Sequence, residues 1–281
     1  MRGRAAPGRM ATSHFIIRLR IIVATTIALL VVTPVASVAQ VQETPVGIVI
    51  MHGKGGSPNR FVIELANGLK EKGLLVANLE MPWSRARDYD VEVDSADKQV
   101  TEAIASLRQQ GARKIFVSGH SQGGVYAMSY ASRQAVDGVI PIAPGGFVNS
   151  LIFQQKLGDS LAEARRLVAE GKGAEKARLM DFEGAKGSYP VVSPPGAYVT
   201  WFDPNGAMSS AVIRQVRAST PTLLIVPTRD YPALLKSSQS VFDGLPAHPL
   251  KRFFQPDADH LGAPVASIEE IATWTRAVAA Q

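Results

Sequence analysis

The sequence predicts an α/β protein, built on a mostly parallel sheet of about six strands with helices on both faces. Short continuous apolar runs, typical of strands covered on both faces, alternate with segments of helical periodicity. Nearly every apolar run is followed by one such segment of roughly 10 to 15 residues, which is the connection that parallel strands require. The sequence contains no internal repeat and no sign of a second domain.

Residues 1–39 have the order of a secretory signal peptide. Five arginines occur without any acidic residue, an apolar run extends from Ile21 to about Val32, and small residues up to Ala39 end the segment. We predict cleavage after Ala39, which leaves residues 40–281 as one domain in the periplasm or outside the cell. The alternative is a retained membrane anchor, but the apolar run is shorter than the roughly 20 residues that a span needs.

The charge of the chain resides mainly in this leader. The formal charge is +6, and removing five arginines (6 minus 5) leaves +1. A nearly neutral domain gives no support to nucleic-acid binding. The chain has no cysteine, so a packed core rather than disulfides must stabilise it in an oxidising compartment.

The remaining elements can be predicted in order along the chain. Ser57 and Pro58 have the pattern of a helix start, and Ser267 and Glu270 have the spacing of a capping box. The predicted order is strand 46–51, helix 58–72, strand 74–79, helix 95–110, strand 114–118, helix 124–134, strand 139–143, strand 222–226, helix 232–241, strand 252–255 and helix 267–279.

The alternation of strands and helices is interrupted at about residues 145–219. Residues 151–170 have helical periodicity, and residues 184–206 are rich in glycine, proline and aromatic residues. We interpret 145–219 as a helical cap inserted over the edge of the sheet. Four aromatic residues are candidates to line a substrate pocket beneath it, with packing in the core as the alternative: Trp83, Tyr198, Trp201 and Phe202.

The segment Gly119-His120-Ser121-Gln122-Gly123 has the form of a nucleophile elbow. It lies where a predicted strand ends and a predicted helix begins. Glycines two residues before and after the serine permit a tight turn, and the helix amino terminus beyond it favours developing negative charge. Ser121 is therefore the candidate nucleophile.

A serine nucleophile needs a base, and His260 is the best candidate among five histidines. It follows the last predicted strand, at the carboxyl edge of the sheet where ligands bind in open α/β folds. The others fit less well: His14 is in the leader, His52 ends the first strand, His120 adjoins the nucleophile, and His248 lies in a loop.

The acid that orients the base should come from a neighbouring strand end, and Asp230 has that position. Asp257 and Asp259 lie so near His260 in sequence that their carboxylates would not readily align with its imidazole ring. Asp203 belongs to an Asp-Pro-Asn-Gly turn signature, which explains it locally.

An oxyanion hole requires two backbone amides aimed at one oxygen atom. The amide of Gln122 follows the nucleophile, and the glycine-rich loop after the first strand offers the amide of Lys54. The loop is not a phosphate-binding P-loop, because Gly55 rather than Ser or Thr follows its lysine.

With these residues in this order, the chain resembles the α/β-hydrolase superfamily over nearly all of residues 40–281. It is most similar to the small esterases and dienelactone-hydrolase-like members, although its nucleophile is serine, and the first two strands of larger members are absent. The resemblance implies a Ser121-Asp230-His260 triad that hydrolyses a carboxylic ester of a small molecule through an acyl-enzyme.

Two other functions stay open at this point. An amidase or peptidase would use the same triad, and a non-catalytic binding protein could retain the fold. No metal or other cofactor is expected, because the chain lacks cysteine and a His-Glu-x-x-His motif and its histidines are scattered. The substrate and the oligomeric state are not predicted.

Overall fold

A computed structural model describes residues 44–281, so the leader and its predicted cleavage site lie outside the described residues. The elements in order are β1 (Val46–Met51), α1 (Ile63–Glu71), β2 (Leu75–Leu79), α2 (Val93–Gln109), β3 (Lys114–His120), α3 (Gln122–Arg133), β4 (Gly138–Ile142), α4 (Leu151–Ala169), β5 (Ala177–Glu183), β6 (Gly187–Ser193), α5 (Pro195–Phe202), α6 (Val212–Gln215), β7 (Leu223–Ile225), α7 (Pro232–Gly244), β8 (Arg252–Phe254), α8 (Ala263–Ala266) and α9 (Ile268–Ala279).

The main sheet has six parallel strands in the order β2-β1-β3-β4-β7-β8, which confirms the predicted sheet. Its central strands are apolar because both faces are covered. Along β1, Val49 and Met51 pack into a core cluster on one face, and Ile48 and Ile50 into a cluster on the other. Helices α2 and α3 cover the first face, and α1 and α9 cover the second.

The strand order places a crevice at the carboxyl ends of β1 and β3. The chain leaves β1 toward β2 on one side, and then returns to form β3 on the other side. Open α/β sheets bind their ligands at such a reversal of strand order. The loop that begins at His52 and the turn that contains Ser121 both lie at this edge.

The insertion, residues 145–219, contains a β-hairpin as well as helices. Helix α4 confirms the helical prediction for residues 151–170. Strands β5 and β6, however, form a separate antiparallel pair that was not predicted, so residues 145–219 are not purely helical. Burial alternates along much of β6, but Pro190 and the flanking glycines mask that pattern in the sequence.

The start of one helix and the capping contact of another were predicted wrongly. Helix α1 begins at Ile63 rather than at Pro58, since the amide of Arg60 donates to Ser57 in a turn and the carbonyl of Pro58 accepts a hydrogen bond from Asn78. The capping box is also absent at α9. The Ser267 hydroxyl instead donates to the carbonyl of Ala263, at 2.7 Å.

Within residues 44–281, no helix is both long enough and apolar enough to cross a membrane.

Candidate active site

Ser121 connects β3 to α3 in a backbone conformation that L-residues rarely adopt. Its φ is 55° and its ψ is −118°. Its amide donates to the carbonyl of Ile142 at 2.8 Å, and its own carbonyl accepts from the amides of Gly124 and Val125 at 2.9 and 3.2 Å. Such a conformation costs about 1 to 3 kcal/mol and persists only where the surroundings impose it. These bonds impose it here, and they hold the serine at the tip of the turn.

The two glycines of the elbow are required by close backbone packing. A Cβ atom at position 123 would lie 2.6 Å from the carbonyl oxygen of His52 and closer still to that of Met51. A Cβ atom at position 119 would overlap the backbone of Gly123. The elbow is therefore pressed against the end of β1 with no space for a methyl group.

The structure joins Asp230 to His260 as the sequence predicts. The Nδ1 atom of His260 lies 2.7 Å from the Oδ1 atom of Asp230, and both side chains are buried. The amide of Tyr231 donates to the same oxygen at 2.7 Å, and the Tyr231 ring lies 4.6 Å from the imidazole. Because the carboxylate accepts at Nδ1, the proton is held there and the Nε2 atom is left able to accept another.

The rival acids have local partners instead. Asp257 forms an ion pair with Arg229, and the amide of Gly262 donates to Asp259 at 2.7 Å. Asp203 accepts from the amide of Asn205 at 3.0 Å, as its turn signature predicts. Of the four acids weighed, only Asp230 contacts His260.

His120 contributes to the site in a way that the sequence did not indicate. Its Nε2 atom donates to the carbonyl oxygen of His260 at 2.8 Å, and the two rings lie 4.8 Å apart. Complete burial, with the proximity of His260, lowers the pKa of His120 to about 3. A neutral His120 thus connects the end of β3, next to Ser121, to the loop that carries His260.

His52 has a supporting role in the loop after β1. Its Nδ1 atom donates to the carbonyl of Gly53 at 2.8 Å, and its Nε2 atom accepts from the amide of Met81 at 3.0 Å. Burial lowers its pKa, which keeps the ring neutral and able to accept. The histidine therefore fixes the loop against the segment that follows β2.

The amide of Gln122 adjoins Ser121, and the loop that carries Lys54 comes close to the serine. A Cβ atom at Gly53 would lie 3.3 Å from the Cβ atom of Ser121, so this loop passes directly over the serine. Gln122 is the first residue of α3, where an amide has no acceptor within the helix. Within residues 44–281, neither amide has a hydrogen-bond acceptor, so both are available to a ligand.

The side chain of Lys54 forms a buried ion pair with the insertion. Its Nζ atom lies 2.5 Å from Oδ1 of Asp181, in β5, and 3.1 Å from the carbonyl of Phe182. Hydroxyl groups of Tyr89 and Tyr189 donate to Oδ2 of Asp181 at 2.8 and 3.1 Å. Burial, followed by the charge of Asp181, raises the pKa of both tyrosines, so they remain donors.

Three of the four aromatic residues predicted to line a pocket are packed in the core. Trp83, Tyr198 and Trp201 are at most 1% exposed, and their polar atoms donate to backbone carbonyls at 2.6 to 2.8 Å. The structure favours the packing alternative for these three. Phe202 differs, because it lines a cavity of about 270 Å³ with Phe153 and other residues of α4.

Among residues 44–281, no three His, Cys, Asp or Glu side chains cluster in a way that could hold a metal ion.

The chain is similar in sequence to a curated esterase. Esterase EstD of Thermotoga maritima is 26% identical over 208 residues, which cover 68% of this chain and 48% of EstD. The chain thus spans about half the length of the curated relative that it matches. No family model matches the chain.

Solved structures share its fold at low identity. A structure reported with LipS and LipT, two metagenome-derived lipolytic enzymes, is 19% identical with a TM-score of 0.56, and the match covers 85% of this chain and 94% of that one. The α/β hydrolase GrgF from Penicillium sp. sh18 is 13% identical with a TM-score of 0.62, over 85% and 90% of the two chains. These likenesses show the fold.

Proposed function

We propose that this chain, which has the α/β-hydrolase fold, is a serine hydrolase that cleaves a carboxylic ester. The observation that carries the proposal is the bond of 2.7 Å between His260 and Asp230 at the edge that presents Ser121. The similarity to an esterase agrees with it. Two amides without acceptors beside the serine complete the set of groups that ester hydrolysis requires.

In the acylation step, Nε2 of His260 takes the proton of the Ser121 hydroxyl as its oxygen attacks the ester carbonyl. The carbonyl oxygen becomes an oxyanion, which accepts hydrogen bonds from the amides of Lys54 and Gln122. Asp230 stabilises the imidazolium. His260 then gives its proton to the departing alcohol, and the acyl group remains bonded to Ser121.

In the deacylation step, a water molecule replaces the alcohol and gives a proton to Nε2 of His260 as it attacks the acyl carbonyl. The same two amides bind the second oxyanion. Collapse of this intermediate releases the carboxylic acid, and His260 returns its proton to Ser121. Each oxyanion donor contributes roughly 3 to 4 kcal/mol to lowering the barrier.

We place the apolar part of the substrate in the cavity beside α4. Its lining includes Phe153 and Phe202, whose ring centroids lie 5.1 and 5.5 Å from the Nζ atom of Lys54. The cavity of about 270 Å³ has nearly twice the volume of an apolar site of about 150 Å³ that holds benzene, so it has room for roughly ten carbon atoms. Esters of medium-length acyl or alkyl chains fit this volume.

The proposal is tested by replacing Ser121 with alanine. Ser121→Ala should lose hydrolysis of p-nitrophenyl esters and covalent labelling by a fluorophosphonate, because no nucleophile remains. Asp230→Asn should still be labelled, but about 10⁴-fold more slowly, since the imidazole loses its orienting partner. Rates of ester and anilide hydrolysis by the wild-type protein will separate an esterase from an amidase.

Ser132→Ala provides the matched control, since Ser132 lies in α3, the helix that follows Ser121, and among residues 44–281 its hydroxyl bonds only the local carbonyl of Ser129. This variant should retain full activity and labelling. Undiminished labelling of Ser121→Ala would exclude Ser121 as the nucleophile. A wild-type protein that neither hydrolyses esters nor reacts with the phosphonate would refute the proposed activity itself.

A further inference from the structure

Asp181 is a carboxylate of the insertion that is completely buried and bonded on both oxygen atoms. Oδ1 accepts from Lys54 at 2.5 Å and from its neighbouring amide, that of Phe182, at 2.7 Å. Oδ2 accepts from the hydroxyls of Tyr89 and Tyr189. A buried carboxylate with four donors is held firmly in position, because breaking any one of these hydrogen bonds leaves a charged or polar group without a partner and away from water.

Both residues whose amides form the proposed oxyanion hole are connected to Asp181 through their side chains. Lys54 supplies one amide of the hole, and its side chain ends on Asp181. Gln122 supplies the other amide, and its side-chain amide lies 3.4 Å from the Tyr89 hydroxyl, which donates to Asp181. The two amides lie on different elements. The side chain of Lys54 bonds Asp181 directly, and the side chain of Gln122 is linked to Asp181 through the Tyr89 hydroxyl.

The Lys54 side chain is held in an environment from which water is excluded. Only 8% of it is exposed, and its ammonium group lies near the rings of Phe153 and Phe202. Ionic bonds are strengthened and less screened by salt in such surroundings. The loop after β1 is rich in glycine and has little stiffness of its own. The ion pair therefore restrains the loop at the residue whose amide must face the oxyanion.

We propose that Asp181 is a positioning residue that sets the geometry of the oxyanion hole through Lys54 and Tyr89. The inference rests on the proposed ester hydrolysis. Oxyanion donors stabilise the transition state more than the bound substrate, and a displacement of about 1 Å can cost about 100-fold in rate. The insertion accordingly acts on the chemical step and not only on substrate access.

The test compares Asp181→Asn with the wild-type protein. The asparagine keeps the shape and can still accept from the tyrosines, but it leaves the Lys54 ammonium without a counterion. We expect kcat for a p-nitrophenyl ester to fall roughly 10- to 100-fold, a part of the 10²- to 10³-fold loss for removing one donor. KM should change less than threefold, because ground-state binding does not depend on the hole.

A trifluoromethyl ketone provides a second measurement, because its hemiketal with Ser121 carries an oxyanion. Its affinity should fall by the same factor as kcat/KM, as expected for an interaction made in the transition state. A loss of stability alone would not produce this correlation. Tyr89→Phe removes the hydroxyl that links Gln122 to Asp181. It should lower kcat/KM and the affinity for the ketone by a smaller factor, roughly 3- to 10-fold.

Asp97→Asn is the matched control, since Asp97 also accepts from a cation, Arg133, and from a tyrosine, Tyr126, at 2.6 to 3.0 Å. It should lower the thermal midpoint without lowering kcat. If Asp181→Asn does not fold, the charge-free double variant Lys54→Met with Asp181→Met takes its place, with the same expected loss of kcat.

The inference is overturned if folded Asp181 variants retain kcat within twofold, if only KM rises, or if Asp97→Asn loses kcat equally. These outcomes differ from failure of the proposed function. In that case the wild-type protein itself would neither hydrolyse esters nor react with a fluorophosphonate.

Discussion

The strained turn at Ser121 requires glycine two residues before and two residues after it. Gly123 lies against the carbonyl groups at the end of β1, and Gly119 lies against Gly123. The sequence pattern predicts these glycines to be necessary, and the backbone contacts give the reason. The elbow is thus a property of β1, β3 and α3 together rather than of the five-residue segment alone.

Gly123→Ala should therefore destabilise the protein and abolish activity. The added methyl group would overlap backbone atoms that cannot move independently, and overpacking of this kind costs about 1 to 3 kcal/mol or more. Urea-induced unfolding measures the free energy of unfolding. Gly124→Ala is the comparison, because its Cβ would meet its nearest atom at 3.0 Å and should be tolerated better. Equal stability of wild type and Gly123→Ala would contradict this account.

His120 predicts a dependence of stability on pH. Its pKa is about 3 in the folded protein, against about 6.5 in an unfolded chain. Between these values the unfolded state binds a proton that the folded state does not, so the free energy of unfolding falls as pH falls. The slope from this residue is about 1.4 kcal/mol per pH unit, and it should begin below pH 6.5.

Unfolding by urea at pH 4.5, 5.5 and 6.5 measures this slope. His120→Gln removes the titrating group but keeps an amide nitrogen that can reach the position of Nε2 and donate to the carbonyl of His260, so its slope should be smaller by about 1.4 kcal/mol per pH unit. The pKa of His52 is also lowered, so His52 contributes a slope of the same sign and should account for part of the slope that remains in the variant. Parallel pH profiles for wild type and variant would show that His120 does not titrate as stated.

At the scale of elements, the strands of the main sheet were the most predictable feature. β1 and β3 are continuous apolar runs because their residues are buried on both faces, and their predicted and observed bounds agree within two residues. The hairpin of the insertion was not predicted, since only one face of β6 is buried and Pro190 interrupts it. The position of this hairpin depends on contacts with residues distant in sequence, so the pattern of neighbouring residues does not predict it.

Gly158 allows helix α4 and its cavity to be tested separately. It lies within the helix and lines the cavity, and among residues 44–281 an added Cβ would have no heavy atom within 4 Å apart from the local backbone of its own helix. Gly158→Ala should raise the free energy of unfolding by up to about 1 kcal/mol, because alanine has the higher helix propensity. Thermal or urea unfolding will measure the change.

Gly158→Phe adds a ring at the wall of the same cavity. If the cavity holds the apolar part of the substrate, kcat/KM should fall for p-nitrophenyl octanoate and decanoate and remain unchanged for the acetate. Gly158→Ala should leave the chain-length profile as it is. An unchanged profile in Gly158→Phe would place the acyl chain elsewhere.

For the whole molecule, the order Ser121, Asp230, His260 was predictable because parallel strands bring their carboxyl ends to one edge. The ion pair of Lys54 with Asp181 was not, because the two residues are 127 positions apart and each has several possible partners. Sequence patterns thus predicted the groups that we propose to react. They did not identify those that hold the reacting groups in place.

The leader remains a prediction at this scale. If residues 1–39 are removed on export, the mature chain begins at Gln40 and carries a formal charge of +1 rather than +6 (6 minus 5). Expression of the full chain in a Gram-negative host, followed by fractionation and intact-mass measurement, checks both the compartment and the cleavage site. A cytoplasmic product of full mass would contradict the prediction.

The buried bond between Lys54 and Asp181 also limits how this protein could be re-engineered. Exchanging residues 145–219 for the corresponding segment of another protein would remove the acceptor of an ammonium group that cannot reach water. Such a chimera would need a compensating change at position 54 before its new specificity could be seen. Residues 145–219 are therefore not an interchangeable module, and substitutions in the loop after β1 and in the β5–β6 hairpin are expected to be coupled.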